Sequence, residues 1–283
     1  MGIQTWTAIS VGVAISFPVT AAPQGTASGQ PAYELVWSDE FDHDGAPDVA
    51  KWTYERGFVR NQELQWYQPD NARVAGGLLV VEARHERKTN PNFQAGSADW
   101  KRQREFAEYT SASLTTRGLH SWQYGRVEMR GRIDTRLGLW PAFWTVGVSG
   151  PWPRNGEIDI MEFYRGQLLA NLAWGGVEPG RAVWDDSKTP IASFADPTWS
   201  DAFHVWRMDW TAEAIELSVD GRVLKHTDLT KTINEDGSGV NPFHQPHHLI
   251  LNLAVGSTGG DPSSTTFPAR YEVDYVRVWQ IKR

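Results

Sequence analysis

Three carboxylates fall within six consecutive positions in Gly156-Glu-Ile-Asp-Ile-Met-Glu-Phe163. On a regular strand Glu157 and Asp159 project to one side and Ile158 and Ile160 to the other. Strict alternation sends Glu162 to the side opposite Glu157. One extra residue at Ile160–Met161, a β-bulge, brings it back. Three acids then share one face. A dry core does not accept that face, because an unpaired buried charge costs several kcal/mol. The face must border a wet cleft or find partners. Paired carboxyls can cut a glycosidic bond. A separation of about 5–5.5 Å suits retention and about 6.5–9.5 Å inversion. With the bulge, the backbones of Glu157 and Glu162 stand roughly 13 Å apart, and two glutamates leaning together favour the shorter separation. Asp159 lies between them, and neighbouring like charges split their pKa values, so one group stays protonated while another is ionised. A solvated acidic face or a calcium site would use the same residues.

Aromatic neighbours point towards sugar. Trp140-Pro-Ala-Phe-Trp144 precedes the acids, and its two indoles, four apart, share a strand face; Trp152 follows in Pro151-Trp-Pro153. The chain holds 15 Trp, each a broad apolar plate with one donor. Some of these must be core. With 27 Lys+Arg against 34 Asp+Glu, the net charge is −7, and no basic run suggests a nucleic-acid partner. The chain has no cysteine, which excludes disulfides, thiolate nucleophiles and thiolate metal sites. The eight histidines form no zinc-type helical motif.

The elements that must hold these residues read as strands. Val127, Met129, Gly131 and Ile133 alternate with Arg126, Glu128, Arg130 and Arg132, the pattern of a half-buried strand. Further strands are expected at 78–86, 109–117, 141–147, 157–163, 168–174, 204–210, 214–219, 248–255 and 271–280. Asp220-Gly221 reads as a tight hairpin turn. No window has sustained helical periodicity, so the chain is all-β, a sandwich or barrel. The polar stretches 86–108 and 176–200 read as long irregular loops bordering the site. Residues 1–31 carry no charge. An apolar run over 6–19 followed by small residues predicts a cleaved signal peptide over 1–22 and a linker over 23–32, with one catalytic domain over 33–283. A secreted or periplasmic monomer without a membrane span is expected.

The block WPAFWTVG…GEIDIMEF resembles glycoside hydrolase family 16, the laminarinase-like β-glucanases and their galactanase relatives. The resemblance runs in order from Leu35-Val-Trp-Ser-Asp-Glu-Phe-Asp42 through Asn61-Gln-Glu-Leu-Gln-Trp-Tyr67 and Phe203-His-Val-Trp-Arg-Met-Asp-Trp210 to Val273-Asp-Tyr-Val-Arg-Val278. It implies a β-jelly-roll sandwich of the concanavalin A-like kind with a concave substrate cleft. It also implies endo-acting, retaining hydrolysis of a β-linked polysaccharide without a catalytic cofactor. By motif position Glu157 would be the nucleophile, Asp159 its electrostatic helper and Glu162 the acid/base. Substrate binding would fall on Asn71, Arg84, Trp140, Trp144, Asn171 and Trp174. A structural Ca²⁺ would use Glu40, the backbone at Gly77, and Asp274. The sequence departs from the pattern at Ala173, where many laminarinases carry His. The substrate therefore stays open between a β-1,3- or mixed-linkage β-glucan and a red-algal galactan such as agarose, porphyran or carrageenan. A non-catalytic carbohydrate-binding sandwich is the remaining alternative, although a pure binder has no need of both Glu157 and Glu162.

Overall fold

The computed structural model describes residues 1, 2 and 32–282, and Tyr33–Arg283 forms one compact unit. The expected signal peptide and nearly all of the linker lie outside the described residues. Two sheets, antiparallel except where Gln65–Tyr67 runs parallel to Phe106–Ser111, stack into a jelly-roll sandwich. Among the described residues ten strands form the outer sheet and eight the inner one. The inner sheet carries the acids. Across it the order is Ala182–Asp185, Gln167–Gly175, Glu157–Tyr164, Leu139–Gly147, His247–Val255, Ser113–Thr115 and Thr53–Tyr54, with Lys188–Pro190 also on Gln167–Gly175.

Alternation decides what lies between the sheets. On Gly125–Arg132 of the outer sheet, Val127 and Met129 point inward and are buried, as is Ile133 just beyond its end. They meet Ile158, Leu172, Leu251 and Leu253 of the inner sheet in one apolar core. Burying each large apolar side chain stabilises the sandwich by about 1.5–3 kcal/mol. The arginines of Gly125–Arg132 face outward as the sequence predicts. The Asp220-Gly221 turn has φ of 48° and 79°, the left-handed pair that a two-residue hairpin demands.

Two expectations about loops change. Within 176–200, Ala182–Asp185 and Lys188–Pro190 pair with the edge of the inner sheet, so this stretch extends the cleft floor rather than wandering beside it. The 86–108 stretch continues its strand to Thr89, adds a short helix at Trp100–Gln103, and does not line the cleft. Among the described residues no helix is long and apolar enough to cross a membrane.

Candidate active site

The strand Glu157–Tyr164 sits between Leu139–Gly147 and Gln167–Gly175. Against the first, its register slips between Asp159 and Met161; against the second, between Asp159 and Glu162. This is the expected bulge. Ile158, Ile160, Met161 and Phe163 all enter the core, each at most 1% exposed. Glu157 and Glu162 line an open cleft of about 1540 Å³ on the other face. Asp159 lies beneath them and is buried.

Indoles and amides hold these acids in place. Trp152 Nε1 donates to Glu157 Oε2 at 2.6 Å, and Trp140 Nε1 to Glu162 Oε1 at 2.8 Å. Asn171 Nδ2 lies 3.4 Å from both Asp159 Oδ2 and Glu162 Oε2. Among the described residues no lysine or arginine makes an ion pair with any of the three. Burial pushes Glu162 up to about 7, assisted by the charge of Glu157 and opposed by the Trp140 hydrogen bond. Burial also raises Glu157, against the Trp152 hydrogen bond and the charge of Arg60. Asp159 is raised well above the usual carboxylate range, by burial and then by the charges of Glu162 and Glu157. A protonated Asp159 can therefore donate to an ionised Glu157.

The sequence-predicted binding residues divide. Trp140, Trp144 and Asn171 line the cleft. Trp140 does more than present a ring, since its N–H is bonded to Glu162. Trp144 is held by Asn252 Oδ1 at 2.8 Å, and the Arg60 guanidinium lies 4.9 Å from its ring centroid. One face of the expected stacking platform is thus covered. The other three do not reach the cleft. Asn71 is fully buried, donating to Glu82 O at 2.7 Å and Thr110 Oγ1 at 2.9 Å; it ties a turn to the outer sheet. Arg84 stands on the outer sheet, bonded to Glu82 Oε1 at 2.8 Å and Asp70 O at 3.1 Å. Trp174 alternates away from Asn171 into the core, edge-on to Phe243.

The calcium residues do not fit a cation either. Glu40 accepts from Arg277 at 2.7 and 2.9 Å, and Asp274 from Arg130. Gly77 lies in a tight turn at φ 77°. Ca²⁺ needs six to eight converging oxygens, whereas each carboxylate here is neutralised by its own arginine. Among the described residues no three His, Cys, Asp or Glu side chains converge.

Sequence reasoning missed Arg60, Asn252, His248 and Trp184, all of which line the cleft. Arg60 abuts the Asn61–Tyr67 motif and His248 begins a predicted strand, but neither position carries a signal of its facing. Trp184 lay in a stretch read as loop.

An all-β sandwich with paired glutamates on one open face is the architecture of a glycoside hydrolase. Comparison with known proteins agrees. "Glycosyl hydrolases family 16" matches residues 82–277, and the chain belongs to this family, whose hydrolases retain anomeric configuration. A β-glucanase of Rhodothermus marinus is 40% identical, over 88% of this chain and 86% of its own length. The laminarinase structure from Rhodothermus marinus is 38% identical, with TM-score 0.72, covering 89% of this chain and 99% of that one. A structure from the endo-acting O-glycanases that human gut microbiota express to initiate mucin breakdown is 34% identical. Its TM-score is 0.81, covering 92% of this chain and 94% of its own.

Proposed function

We propose that the protein is an exported endo-β-glucanase that hydrolyses β-1,3- or mixed-linkage β-glucan by double displacement. The bulge that turns Glu162 back beside Glu157, in an open cleft, carries this reading. The glucanase relatives support it. Glu157 attacks the anomeric carbon as the bond to the leaving sugar breaks, and Glu162 gives its proton to the departing oxygen. The intermediate is a glycosyl ester on Glu157. Forming it removes the negative charge that held the Glu162 pKa up, so Glu162 is then poised to ionise. It next takes a proton from water, whose oxygen attacks the anomeric carbon and releases Glu157 as carboxylate. Two inversions leave the configuration unchanged. Asp159 hydrogen-bonds Glu157, stabilising its charge before attack and after release.

Export rests on the uncharged amino-terminal segment. A second reading, cleavage of a galactose-containing β-glycan, is favoured by Ala173 in place of the expected His and by the likeness to the mucin-active O-glycanase. Ala173 is the cross-strand neighbour of both Glu157 and Trp184, so its identity bears on the sugar next to the reacting bond. Incubation with laminarin, lichenan, xyloglucan, agarose, porphyran, carrageenan and mucin glycans, with product sizing, tests both readings. Laminarin or lichenan cut to oligosaccharides supports the first. Cleavage confined to galactose-containing glycans replaces it with the second.

A further inference from the structure

We propose that Arg60 and His248 form a hydrogen-bonding subsite for a neutral sugar residue, on the side of the cleft bounded by His247–Val255. The proposal rests on the glycanase reading above and adds how that cleft grips its substrate.

Arg60 is set by an unusual loop. Asn61 and Gln62, which follow it, both have positive φ, 54° and 53°, a region that non-glycine residues adopt only when their surroundings impose it. Here Ser257 Oγ donates to Asn61 O at 2.5 Å, Arg104 Nη2 to Glu63 O at 2.6 Å, and Leu64 N to Val255 O at 2.9 Å. The guanidinium is equally constrained. One edge pairs with Glu55, which also accepts from Ser113 Oγ at 2.6 Å, and one face rests on Trp144. Nη1 has no partner. The group is therefore pre-oriented, with its charge balanced and its exposed part bordering the cleft.

His248 supplies the second contact. It is 7% exposed, lines the cleft, and its Nδ1 is buried without a partner among the described residues. Burial and the nearby Arg117 charge push its pKa down to about 4, so it is neutral at pH 7. Its cross-strand neighbour is Val146, which in turn faces Glu157. Two strand spacings, roughly 10 Å, separate His248 from the reacting acid. A compensated guanidinium and a neutral imidazole match hydroxyl groups rather than a sulfate or carboxylate. Stacking on Trp144 is blocked on the face Arg60 covers. The Ala182–Asp185 side differs, since Trp152 and Trp184 expose 47% and 44% of their surface. The cleft thus holds its glycan by hydrogen bonds on one side and by indole faces on the other.

The test is calorimetric titration of laminarihexaose into the inactive Glu157→Gln protein and its derivatives. Adding Arg60→Ala should weaken binding by about 10-fold or more; Arg60→Lys, which keeps the charge but loses the fork, should recover only part of it. Because Arg60→Ala strands Glu55, the neutral double change Arg60→Met/Glu55→Gln is made as well. It should unfold at the parent's denaturant midpoint and still bind weakly. Parent-like affinity in that variant overturns the subsite and leaves the glucanase reading intact. Failure of the Glu157→Gln parent itself to bind overturns the glucanase reading and the subsite with it. Tighter, salt-sensitive binding of sulfated laminarin would overturn the neutral ligand class.

Discussion

The acids of the outer face and the three acids on the strand Glu157–Tyr164 are held in opposite ways. On the outer face Arg126 meets Asp209, Arg132 meets Glu272, Arg130 meets Asp274 and Arg277 meets Glu40. The hydrogen bond from Arg277 holds Glu40 below the usual carboxylate range. Burial would raise Glu82, but Arg84, Arg270 and Arg73 together outweigh it and its pKa falls. On the cleft face Glu157, Asp159 and Glu162 have indole and amide donors but no salt-bridge partner among the described residues, and all three rise. Both faces are strands with alternating polar positions. The difference is burial, the largest cause of the rise in all three, together with whether guanidinium groups stand close enough to outweigh it. Arginine makes a carboxylate inert; its absence keeps a proton available near neutrality, at a cost in stability.

The largest test of that contrast is Glu157→Gln, which should lower laminarin turnover by about 10⁴-fold or more in a reducing-sugar assay. Asp274→Asn, an outer-face acid of the same sheet pattern, should leave turnover unchanged. Equal losses in the two would erase the distinction. Next is Glu162→Gln, expected to cost about 10²–10⁴-fold on polysaccharide and much less on an aryl glycoside whose leaving group needs no proton. The pH profile of kcat/KM should be bell-shaped. Glu157 must be ionised, so activity rises on the acid limb; Glu162 must be protonated, so activity falls above about pH 7. A basic limb unmoved by Glu162→Gln, measured on the aryl glycoside, would reassign the acid.

The same contrast extends to folding stability. Glu162 has a raised folded pKa, so between about 4.5 and 7 the folded protein binds more protons than the unfolded chain. Its contribution therefore becomes unfavourable as pH rises through that window. Glu162→Gln should raise unfolding free energy at pH 8 by about 1–3 kcal/mol and change little at pH 4.5, measured by urea denaturation. Breaking the outer pair with Arg130→Ala should cost no more than about 1 kcal/mol, because exposed ion pairs contribute little. The smallest effect is expected from a chelator. With Glu40 and Asp274 already paired to arginines, EDTA should leave the unfolding midpoint where it was.

Much of the fold was legible because strand alternation is local. The outer-sheet segment 125–132 shows its facing in every residue, and the bulge could be read from Glu162 alone, since only an inserted residue reconciles it with Glu157. Asn71, Arg84 and Trp174 went the other way. Their residue types suited sugar, but their sheet, or the face of their strand, did not. Trp174 is the clearest case, because alternation from Asn171 already sends it inward. Arg60 and His248 had no local signal. Each becomes a cleft residue only because segments nearly two hundred positions apart are brought together, as Leu64 on Val255 illustrates.

Residue spacing alone is enough to show that this chain alternates into strands, that three acids fall together, and that one irregular step must put them on one face. Those outcomes follow from spacing along a single pleated segment, where neighbouring side chains are bound to opposite directions. The tertiary structure alone decided which acids keep their protons. That depends on what stands across the ladder and how much water is displaced, and both are set by partners distant in sequence: Arg60 over Trp144, Trp140 on Glu162, and arginines spread along the opposite sheet.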